Sequence, residues 1–128
     1  MDPTGTTTGG VMLYNNPPPN GNSSGISLTG GKVNLAPPSS GTYQGISIFQ
    51  ERASTIDLSI TGQGSTQITG TFYAAGAAIK ITGSDSTGAD VIGSQYISRT
   101  LQVGGSGKFS VNWDPKLTAP IRQLTIVE

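Results

Sequence analysis

The sequence predicts an all-β protein: a right-handed single-stranded parallel β-helix of about four to five coils of ~20–25 residues, with a capping C-terminal strand. Three observations carry this expectation. Nineteen glycines and eight prolines in 128 residues, among many Ser and Thr, punctuate the chain with turns and leave no helical apolar stripe. Apolar–polar–apolar triplets, the period-2 signature of a strand with one buried face, recur throughout. Four of them, beginning at Val33, Ile56, Ile79 and Leu101, start 23, 23 and 22 residues apart. An antiparallel sandwich explains the composition equally well, but not that spacing.

The elements follow in order. Val11 to Tyr14 reads as an opening strand. Asn15 to Ser24 follows with three consecutive prolines, which cannot donate to a ladder, so it reads as a protruding loop. A first series of strand pieces comprises Ile26–Leu28, Ile46–Ile48, Phe72–Ala74 and, less cleanly, Tyr96–Ile97; Gly25, Gly45 and Gly70 precede three of them. The triplets Val33–Leu35, Ile56–Leu58, Ile79–Ile81 and Leu101–Val103 form the second. Their first residues are expected in one internal column and their last residues in another. Ile68 and Phe109–Val111 form a weaker third series. Trp113 to Pro120 leaves the last full coil, and Leu124 to Glu128 reads as a strand covering an open end. Residues 1–10 are expected to be an N-terminal extension, and 11–128 the folded domain.

Charge and missing residue types narrow the function. Seven cationic and seven anionic side chains cancel, and only 11% of residues are charged. No basic stripe exists to hold a phosphate backbone, so no nucleic-acid partner is expected. There is no His, which removes the commonest general base and metal ligand, and no Cys, which removes any disulfide framework. No apolar run approaches the ~18 residues of a membrane span. A chain rich in Gly, Ser, Thr and Asn and poor in Lys and Glu reads as part of a larger exported protein, located extracellularly or at the cell surface.

The stretches "GVMLYNN", "GKVNLAPPSSGTYQGISIFQERAS", "QITGTFYAAGAAIKITG", "GSQYISRTLQVGGSGKFSVNWDP" and "LTIVE" resemble the C-terminal domain of exported bacterial Flp-pilus-assembly TadG-like or PilX-like envelope proteins. The resemblance covers residues 10–128, and its most specific block is "APPSSGTYQGISIFQER". It implies a right-handed parallel β-helix in a pilus-associated envelope protein, and no catalytic residues. Where that group has Tyr-x-Pro, this chain has Tyr73-Ala74-Ala75, a difference confined to a corner.

Candidate sites are few. Asn34, Asp57, Lys80 and Gln102 hold the polar positions of the triplets, so they are expected in one outward column, with Asp57 and Lys80 as a surface ion pair. Arg52 is expected to fix a corner through a neighbouring carbonyl or carboxylate. Asp85 and Asp90, in a hydroxyl-rich turn, are the calcium candidates, although the stretch lacks the usual calcium-loop pattern. Phe49, Phe72 and Phe109 read as core or cap, Trp113 as packing the end of the last coil, and Tyr43 and Tyr73 as exposed. The expectation is a non-catalytic structural or adhesive module with no cofactor, facing a protein or glycan at the cell surface. The alternative is a carbohydrate-binding module using Tyr43, Tyr73 and Asp57. A polysaccharide-active enzyme would need clustered acids. An ice-binding wall would need threonines repeating in one register, and they do not.

Overall fold

A computed structural model describes residues 10–17, 25–29, 33–62, 66–83 and 89–120. Every regular element in it is a strand: β1 (Leu13–Asn15), β2 (Ser27–Thr29), β3 (Asn34–Leu35), β4 (Ile46–Gln50), β5 (Leu58–Gly62), β6 (Gln67–Ile68), β7 (Thr71–Gly83), β8 (Ala89–Ile92), β9 (Gln95–Gly105) and β10 (Lys108–Ser110). All pairings are parallel.

The first sheet is built on β7. Its Thr71–Tyr73 end pairs with β4, which carries β1; its Ile79–Gly83 end pairs with β5, which carries β2. Strand β9 pairs with both ends of β7. Since β4 and β9 meet the same β7 residues, they must lie on opposite edges, as must β5 and β9. The second sheet runs β10-β8-β6-β3. The core fills the space inside: Ile48, Leu58, Ile60, Phe72, Ile79 and Ile81 from the first sheet, and Ile68 and Ile92 from the second, are all fully or almost fully buried. Leu13, Leu28, Leu35, Tyr96 and Phe109 pack against its margins.

The all-β class stands, but the right-handed β-helix of four to five regular coils does not. The strands form a curled half-barrel of two parallel sheets. The predicted Val33–Ile56–Ile79–Leu101 column is broken. Leu58, not Ile56, pairs with Ile79, while Val33 adjoins the second sheet, where Leu35 pairs with Ile68. Only the last step, Ile79 beside Leu101, falls where the spacing put it. The reason is the period of a strand. A slip of two residues leaves every side chain on its original face, so alternation cannot distinguish a 23-residue step from a 21-residue one. The proposed capping strand, Leu124 to Glu128, lies outside the described residues, as do residues 1–9 and most of the Pro-rich loop.

Two local features explain how the sheet keeps its shape. Gly45 and Gly70, each just ahead of a strand, have φ of +77° and +101°, a region side chains rarely enter. At Gly70 an added Cβ would also press on the Pro37 ring at 2.9 Å. The run Ala74-Ala75-Gly76-Ala77-Ala78 in mid-β7 faces the corner that links β4 to β5. Any side chain at Gly76 would collide with the carbonyl oxygens of Arg52 and Ser54. Small residues there let one unbroken strand pass beneath that corner.

Candidate functional site

Parallel pairing in register places like beside like on the outer face of the first sheet. Leu13, Ile48, Phe72 and Tyr96 succeed one another across β1, β4, β7 and β9 on the core side. One residue further along each strand, the next column points the other way: Tyr14, Phe49, Tyr73 and Ile97. Phe49 and Tyr73 stack with centroids 4.8 Å apart and planes 7° from parallel. Tyr14 lies 5.6 Å from Phe49, tilted by 35°. Tyr43, from the turn before β4, meets Phe49 nearly edge-on at 5.9 Å and 66°. The outcome is a four-ring cluster whose outer members, Tyr14 and Tyr43, are 53% and 44% exposed.

Polar groups frame the cluster. Arg52 Nε donates to Tyr73 Oη at 3.0 Å. That bond, first among its causes, pushes the already high pKa of the Arg52 guanidinium further up. The expected carbonyl or carboxylate partner of Arg52 is thus a tyrosine hydroxyl. Asn15 Nδ2 donates to Gln50 Oε1 at 3.3 Å, and Gln50, fully buried, donates in turn to the Ile56 carbonyl at 2.6 Å. The Glu51 N–H donates to the Asn15 carbonyl at 2.9 Å, which fixes the corner against β1.

The other candidates are scattered. Asp57 accepts an ion pair from Lys80 at 2.5 Å, with both side chains about two-fifths exposed. Lys80 is chiefly what lowers the Asp57 pKa. Their expected column is incomplete: Lys80 pairs in register with Ser59 and Gln102, while Asn34 sits in the second sheet beside Gln67. Asp57 and its partner belong to the far end of β7, seven residues from Tyr73. A shallow, open groove there is lined by Lys80–Thr82 and Gln102–Gly104.

Asp85 lies outside the described residues. Asp90 is in β8, 1% exposed, and its Oδ1 accepts the Thr66 N–H at 2.9 Å, while Oδ2 has no hydrogen-bond partner among the described residues. The Gly62 backbone runs so close to this carboxylate that a side chain at 62 would strike it. Among the described residues no three His, Cys, Asp or Glu side chains gather as a metal site would require. Phe72 is core, as expected, but Trp113 does not pack the end of the last coil: it is 68% exposed.

Of the two rings expected to be exposed, Tyr43 is exposed and Tyr73 is half-buried; Phe49, expected in the core or a cap, stands half-buried on the outer face, and Tyr14 joins it there. A signal was present. Tyr14, Phe49 and Tyr73 each follow a residue of the Leu13, Ile48, Phe72 column by one position. The Pro-rich insertion stretches the first interval to 35 residues against 24 for the second, which hides the match.

No family model matches the chain, and neither a curated protein nor a solved structure matches it.

Proposed function

We propose that the chain is a non-catalytic structural and adhesive module of an exported bacterial envelope protein, of the pilus-associated kind its sequence resembles, and that it works at the cell surface. The observation that carries this reading is the exposed aromatic cluster held on the outer face of β1, β4 and β7. Strand β7 is hydrogen-bonded along both edges, and its inward side chains are buried. A face mounted on such a strand is held by many parallel hydrogen bonds rather than by a loop, which suits a contact that must bear load. Cross-strand aromatic pairs also stiffen the sheet that carries them.

The test is display of the whole chain on a non-adherent bacterium, with retention on a coated surface measured under flow. Retention above an empty-display control, surviving trypsin treatment of the cells, is the expected result. Retention equal to the control on every surface, abiotic or cellular, contradicts the adhesive role.

A further inference from the structure

We infer that the Tyr14–Tyr43 end of the aromatic cluster is a binding site for a neutral glycan chain; this rests on the adhesive reading above and names its ligand class. The ring geometry selects the residues. Phe49 and Tyr73 spend their facing surfaces on each other, so neither offers that face to a ligand. Tyr14 stands at the end of the row on the edge strand β1, 53% exposed, with no further ring on its outer side among the described residues. Tyr43 presents a steep angle to Phe49 rather than stacking on it, and it too is exposed. Two exposed tyrosines beside one fixed phenylalanine give apolar faces for the C–H groups of sugar rings, and two hydroxyls for their polar rims.

Charge complementarity sets the ligand's character. Among the described residues the charged groups tied to this cluster are Glu51, whose backbone N–H bonds to the Asn15 carbonyl, and Arg52, bonded to Tyr73. They are consecutive and opposite in sign, so the surface complements an uncharged partner. Arg carries five N–H donors and the bond to Tyr73 uses one, so donors remain for sugar hydroxyls. The rings stand on the face of the sheet, and only Tyr14 belongs to the edge strand β1, so a peptide adding itself as an extra strand would lie beside Tyr14 alone. This assignment moves the expected sugar site away from Asp57 and from Tyr73, whose hydroxyl already accepts from Arg52.

The experiment uses the full chain against immobilised cello-oligosaccharide, chito-oligosaccharide and mannan as neutral probes. Alginate and hyaluronan serve as charged probes, and a Pro-rich peptide as a competing ligand for aromatic faces. Saturable binding to at least one neutral glycan is expected. Tyr14→Ala and Tyr43→Ala should each weaken it about tenfold or more, with unfolding midpoints near wild type, whereas Tyr73→Phe should stay within about twofold. Binding confined to charged glycans or to the Pro-rich peptide overturns the inference, as does a blank with all three neutral probes. So does binding that survives both alanine variants. Blank neutral probes alongside retention of displayed cells under flow would sink the glycan site and leave the adhesive reading standing; loss of both would sink both.

Discussion

Ile79–Ile81 of β7 and Leu101–Val103 of β9 are register neighbours with the same apolar–polar–apolar chemistry. Ile79 and Ile81 are essentially inaccessible, while Leu101 is 46% and Val103 56% exposed. The difference lies in what flanks each strand. β7 has β5 on one side and β9 on the other, whereas β9 has no second partner among the described residues. Burial in a stack of parallel strands is therefore a property of position and not of the triplet. The same contrast separates Phe72, buried between Ile48 and Tyr96, from Leu13, half-buried at the opposite edge of the same column.

Substitutions sharpen this contrast. The largest effect is expected at Ile79. Ile79→Ala leaves a cavity in the middle of the core and should cost about 2–5 kcal/mol in urea unfolding, while Leu101→Ala, already half solvated, should cost under about 1. Equal losses at the two positions would break the comparison. Gly70→Ala comes next. It forces a side chain into a positive-φ backbone against Pro37, and a loss of roughly 2 kcal/mol is expected in thermal unfolding, against almost none at exposed Gly104, whose φ is not positive.

Tyr96 provides a pH-dependent test. Its hydroxyl donates to the Ile92 carbonyl, and burial pushes its pKa up to about 12. The fold favours the neutral phenol, so its contribution is complete below pH ~10, the pKa of an unfolded tyrosine. It is lost as pH rises through about 12. Tyr96→Phe should lose about 1 kcal/mol at neutral pH and show a flatter stability curve across that alkaline window; identical slopes for the two proteins would argue against a buried phenol.

The smallest effect belongs to Asp57 and Lys80. Their pair is well exposed, so Asp57→Asn should cost between about 0 and 1 kcal/mol, less at high salt. Because Lys80 lowers the Asp57 pKa, the wild-type advantage should be present above the unfolded value near 3.8 and vanish as pH falls through the lower folded value. An advantage that grew on acidification would contradict the assignment.

Much of the architecture was legible in the residues. The period-2 triplets fell within β7 and β9 and met β5 only at its first residue, Leu58, and glycines marked the turns ahead of β4 and β7. Parallel pairing followed from the near-constant spacing. Register was not legible, because a two-residue slip preserves every face: Ile56 and Leu58 are equally good partners for Ile79 on paper. The continuous β7 was hidden as well. Ala74 to Ala78 looks like a corner until the backbone of Arg52 and Ser54 is seen pressing on Gly76. The candidate site was half legible. Tyr43 and Tyr73 stood out, but Tyr14 and Phe49 join them only through pairing that the Pro-rich insertion disguises.

Strand β7 is the fixed spine on which the aromatic cluster rides. Native-state hydrogen exchange, read amide by amide, tests it most directly. The β7 amides from Phe72 to Ile81, together with Phe49 in β4, should be among the slowest in the protein, with those on the outer edge of β9 at Leu101–Gly105 far faster. Exchange in β7 as rapid as on that edge would contradict it.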